Sequence, residues 1–61
     1  MMNWIVIKAG KMNRVTETEA KALIQQMKDS GANQVYEDNS EDEFYATAFQ
    51  YNGEYIQIRE D

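Results

Sequence analysis

Residues 43–59 read Glu43-Phe44-Tyr45-Ala46-Thr47-Ala48-Phe49-Gln50-Tyr51-Asn52-Gly53-Glu54-Tyr55-Ile56-Gln57-Ile58-Arg59. Two β-rich runs flank Asn52-Gly53, the strongest short hairpin signal, because a type I′ turn needs positive φ at both central residues. A two-residue turn fixes the register. It pairs Tyr51 with Glu54, Phe49 with Ile56 and Thr47 with Ile58, and these share one strongly apolar face. Phe44, Ala46, Ala48, Gln50, Tyr55, Gln57 and Arg59 fall on the other face.

Upstream, Gln34 to Glu37 reads as a short strand around Val35 and Tyr36, followed by the turn-rich stretch Asp38 to Asp42. A helix precedes it. Thr16 with Glu19 three residues on makes a capping-box pattern. Ala20, Leu23, Ile24 and Met27 recur at helical spacing. Ser30-Gly31 ends the helix, with Gly31 suited to a left-handed position. Asn3 to Lys8 reads as the first strand, apolar on both sides of its pleat, with Ile5 and Ile7 expected under the helix and Trp4 and Val6 opposite. Lys8 to Val15 reads as a connecting loop.

The expected fold is therefore a single α+β domain over 1–61: a two-layer sandwich, β-α-β-β-β, with one helix packed on a four-stranded, mostly antiparallel sheet. A helical crossover returns its second strand parallel to the first. Strands one, two and four then point one way, and the 8–15 loop, the 38–43 loop and the C-terminus share a pole.

Charge gives that pole its interest. Residues 1–32 hold five bases against three acids, and residues 33–61 hold one base against eight acids, within a net charge of −5. The expected pole gathers Lys8, Lys11, Arg14 and Arg59 with Glu17, Glu19, Glu37, Asp38, Glu41, Asp42, Glu43, Glu60 and Asp61. Such a surface steers association with a basic partner and makes it salt-dependent. Glu37, Asp38, Glu41, Asp42, Glu43, Glu60 and Asp61 are the expected partner-binding residues. A small inhibitor that imitates nucleic-acid phosphates is one form of that reading.

Other classes fit less well. With no Cys and no His, disulfides, thiolate metal sites and imidazole chemistry are excluded. Asp38, Ser40 and Asp42 alternate as early calcium-loop ligands do, but Glu43 stands where the loop glycine belongs and Phe49 where its glutamate does. A weak Ca²⁺ or Mg²⁺ site is one alternative. An anion at the Lys8-Ala9-Gly10-Lys11 loop before the helix is another, although Glu17 and Glu19 oppose it. Six bases are a poor footprint for direct nucleic-acid binding, even with Tyr45, Tyr51 and Tyr55 as stacking candidates. Ser30 and Ser40 lack a suitable base, so the chain is expected to be non-enzymatic and to need no cofactor. Trp4-Ile5-Val6-Ile7 is far too short to span a membrane, no secretory leader is recognisable, and a cytoplasmic location is expected.

The face away from the helix supports a second reading, a structural homodimer. Trp4, Val6, Phe44, Ala46, Ala48 and Tyr55 form the expected oligomer interface, since a 61-residue domain gains much from burial against another copy.

Overall fold

Asn52 and Gly53 both adopt positive φ, 52° and 77°, and the turn they make joins β4 (Ala46–Tyr51) to β5 (Glu54–Glu60). The register is the one the turn demands: Tyr51 faces Glu54, Phe49 faces Ile56 and Thr47 faces Ile58. The computed structural model describes residues 3–39 and 44–61.

A second hairpin of the same kind stands at the other end of the chain. The two residues of its turn are Ala9 and Gly10, with φ of 53° and 75°, joining β1 (Trp4–Lys8) to β2 (Lys11–Val15). Here the structure corrects the sequence reading, which treats 8–15 as a loop. Lys11-Met12-Asn13-Arg14-Val15 carries no apolar alternation because it is an edge strand with four of its five residues exposed. Charged, unburied edges are common in sheets.

Between the hairpins run α1 (Glu17–Asp29) and β3 (Asn33–Asp38). The helix starts as its sequence predicts. Thr16 Oγ1 accepts from the Glu19 N–H at 3.1 Å, and Glu19 Oε1 accepts from the Thr16 N–H at 3.2 Å. It ends with Gly31 at φ 81°. The Ala32 N–H then reaches the Met27 carbonyl and the Gly31 N–H reaches that of Lys28, which satisfies carbonyls the last turn leaves open.

The five strands form one antiparallel sheet in the order β2-β1-β5-β4-β3. Among the described residues the α+β class and the single helix are as expected, but the sheet has five strands rather than four. β1 lies antiparallel to β5 and pairs Val6 with Ile58, so it runs opposite to β3 and β5 rather than with them. The cause is β2: the crossover to β3 leaves from β2, and β1 points back.

That pairing also decides which face of β1 is inside. Paired residues share a face, so Trp4 and Val6 join Ile58, Ile56 and Phe49 beneath Ala20, Ile24 and Met27 of the helix. The sequence reading has β1 turned over, with Ile5 and Ile7 inward. On a strand apolar on both sides, a one-residue change of register exchanges the faces. Ile5 is nevertheless buried on the open face, at 3% exposure, in the middle of a row flanked by the long side chains of Arg14 and Arg59. Long cationic stems shield such a position while their heads stay wet.

Two substitutions check these assignments. Thr16→Ala should cost about 1 kcal/mol through loss of the cap, read as a lowered urea midpoint at unchanged slope. Val6→Asp should unfold the domain by burying an unpaired charge, whereas Ile7→Thr, on the half-open face, should leave a cooperative melt. Circular dichroism separates the two, and the reverse ranking would contradict the assigned face.

Candidate acidic pole

The strand directions place functional residues by their ends. β2, β3 and β5 finish at one pole, where β1 and β4 begin. The ends of β3 and β5 bring Glu37, Asp38, Glu60 and Asp61 there. The end of β2 brings the helix start with Glu17 and Glu19. Among the described residues, only Arg14 and Arg59 accompany these six carboxylates, with Lys21 one turn along the helix. Glu41, Asp42 and Glu43, also expected in the partner-binding set, lie outside the described residues.

Lys8 and Lys11 are not at this pole. Both flank the Ala9-Gly10 turn at the far end, where Lys8 pairs with Glu54 at 3.8 Å. The sequence reading puts them among the acids because it lacks β2. Their removal separates charge further: with Lys28 and Asp29 at the helix end, the far pole is weakly basic.

The carboxylates at the acidic pole are held in place. Arg14 Nη1 donates to Asp61 Oδ2 at 3.1 Å, and the Asp61 N–H reaches the Asn3 carbonyl at 2.8 Å. The Glu60 N–H donates to the Tyr45 carbonyl at 2.8 Å, while Glu60 Oε1 accepts from the Tyr45 N–H at 3.1 Å. Tyr45 Oη donates to Glu37 Oε2 at 2.8 Å. Glu17 pairs with Lys21 at 3.4 Å. Exposed ion pairs of this kind contribute little to stability.

Tyr45 links this pole to the core. Its ring lies 6.0 Å from that of Trp4, tilted by 50°. Partial burial raises its phenol above the usual value, and the Glu37 carboxylate raises it further, by hydrogen bond and by charge, against an opposing contribution from Thr47. Beside it is a hollow of about 380 Å³ between the first half of α1 and the sheet, lined by Trp4, Ile24, Tyr45, Glu17, Glu60 and Asn39 among others. Trp4 Nε1 has no hydrogen-bond partner among the described residues, but it is sealed from solvent and so offers nothing to a molecule in the hollow.

The remaining expectations divide. Ala46, Ala48 and Tyr55 lie on the open face, but Trp4 and Val6 are core residues under the helix, so the expected oligomer interface does not form one surface. Phe44 is 63% exposed beside the acidic pole. Tyr51 shares the helix face with Phe49, and Tyr55 takes the other, so the tyrosines make no common stacking platform. The Lys8–Lys11 turn and the helix N-terminus stand at opposite ends of β2, which parts the two halves of the anticipated anion site. Asp38 ends β3, and its alternating companions Ser40 and Asp42 lie outside the described residues. Among the described residues no three acidic groups are grouped to hold a metal ion, and no helix is long and apolar enough to cross a membrane.

Comparison with protein-family models, with curated proteins and with solved structures finds no match.

The Tyr45 phenol makes the pole pH-sensitive on the alkaline side. A raised folded-state value means that the neutral phenol is favoured in the native protein. Its stabilisation is complete below the unfolded value of 10.0 and is lost as pH rises through the folded one. Urea midpoints should therefore fall above about pH 10 more steeply in wild type than in Tyr45→Phe; parallel curves would remove this contribution.

Proposed function

We propose that this protein is a non-catalytic interaction domain that docks its acidic pole on a basic protein surface. The observation that carries this reading is the convergence of Glu37, Asp38, Glu60 and Asp61 with the helix-start acids Glu17 and Glu19 at one end of the sheet. Lys8 and Lys11 stand at the other end. The sequence adds Glu41, Asp42 and Glu43 between β3 and β4.

The physics favours rate and selectivity over tight area-driven binding. A one-signed patch raises encounter rates roughly 10-fold to 1,000-fold at low salt and loses that gain as salt rises. The carboxylates of Glu37 and Glu60, which accept from Tyr45, and of Asp61, which accepts from Arg14, present a partly ordered pattern, which lowers the ordering cost on docking. Imitation of nucleic-acid phosphates, with inhibition of the enzyme whose groove is filled, is one specific form of this function. The basic partner and the open-face homodimer are separate readings, and the first has the geometry behind it. A weak cation or anion site is a lesser reading, and the chain is taken to work in the cytoplasm.

Neutralising the pole tests the reading. Glu37→Gln, Asp38→Asn, Asp42→Asn and Glu43→Gln should together abolish salt-elutable capture of a basic protein from the source lysate. Asp29→Asn with Glu54→Gln, at the far pole, should capture as wild type does. Duplex DNA should displace the captured protein if the mimic form is right. Equal capture by both variants, each folded by circular dichroism, would reject the proposal.

A further inference from the structure

The two edges of the sheet are not alike. β3 carries a register irregularity between Gln34 and Tyr36, with Val35 protruding, and a bulge of that kind spoils an edge for further pairing. β2 is regular over all five residues, lacks proline, and among the described residues pairs with β1 alone.

Its outward-facing groups follow from the hairpin. Lys8 and Lys11 flank a two-residue turn and exchange both backbone hydrogen bonds, so Asn13 and Val15 also bond inward to β1, two and four residues on. An independent bond confirms the alternation: Asn3 on β1's other parity takes the Asp61 N–H from the β5 side. Met12 and Arg14 therefore direct their N–H and C=O groups out of the sheet.

We infer that β2 is the interface of a homodimer, pairing antiparallel with β2 of a second copy about a two-fold axis at Asn13. This goes beyond the acidic-pole function and does not rest on it. The register is the one that overlaps the whole strand. Met12 then faces Arg14 of the second copy, and each such pair exchanges two backbone hydrogen bonds. Asn13 faces Asn13, and Lys11 faces Val15. No two like charges stand opposite one another, whereas a shift that centres the axis on Arg14 would oppose two guanidinium groups.

Charge separation selects a second copy as the occupant. Antiparallel pairing sets the acidic pole of one subunit beside the basic turn of the other. The helix-side row Glu60–Trp4–Val15 of one copy continues into Lys11–Lys8 of the next. At physiological ionic strength the Debye length is about 8 Å, so the net charges of the two bodies are largely screened while neighbouring strands still interact. The face that carries Ile5, Ile7 and Met12 becomes continuous across the axis, and Met12, 60% exposed in the single chain, packs on the Arg14 stem of its partner copy.

The absence of cysteine makes a cross-linking test clean. At an antiparallel pair that lacks hydrogen bonds, opposed Cα atoms lie about 4.5 Å apart, within disulfide reach. Asn13→Cys should form disulfide dimers under mild oxidation roughly tenfold faster or more than Asn33→Cys on the opposite edge. Sedimentation should show dimers for wild type and monomers for Met12→Pro, which removes an outward N–H without touching the β1–β2 ladder. Asn13→Lys, which opposes two cations at the axis, should also be monomeric and serves if Met12→Pro fails to fold. Wild type sedimenting as a monomer at millimolar concentration would overturn the inference, as would Asn13→Cys cross-linking no faster than Asn33→Cys. Capture of an acidic extended peptide by a monomeric wild type would assign the edge to another occupant and overturn it equally.

Discussion

The antiparallel pairing of β1 with β5 is the contact on which the rest of this structure depends. It joins the two hairpins into one sheet, sets Val6 against Ile58 inside the core, and brings the Glu60-Asp61 segment beside Trp4 and Asn3. Without it there are two small hairpins and a helix, none with enough apolar area to stand alone. With it, Trp4, Val6, Phe49, Ile56 and Ile58 meet Ala20, Ile24 and Met27 in one cluster.

The legible parts of the chain are those governed by local chemistry. Thr16 and Glu19 define a helix start because side chains three residues apart satisfy backbone donors of the first turn. Asn52-Gly53 defines a turn, a register and two faces because few residue pairs tolerate positive φ twice. The first hairpin uses the same backbone geometry but spends Ala9 at φ 53°, a residue with no preference for that region. Its outer strand has no buried side to write a pattern. Strength of signal thus follows burial, and an edge strand of charged and polar residues is nearly silent.

The candidate site was legible to the same degree. The β4–β5 hairpin and the strand before it fix where Asp38 and the C-terminal acids go, and this holds whatever β1 does. Of the four bases expected there, Lys8 and Lys11 stand elsewhere because their position depends on β2, while Arg14 and Arg59 are where the sequence puts them. Which face of β1 lies inside was also beyond sequence reading. Ile5 and Trp4 are both 3% exposed, on opposite sides of one strand, and the choice rests on a partner far along the chain.

That distance has a kinetic side. β1 is a central strand, yet its inner neighbour is the last strand in the sequence. Both hairpins and the helix draw on neighbouring residues and can form early, while the seam between β1 and β5 closes almost the whole chain into a loop. Such non-local closure slows folding relative to helical domains of similar size. During synthesis the first hairpin emerges with one apolar flank unpaired, and it stays so until β5 has followed it out of the ribosome.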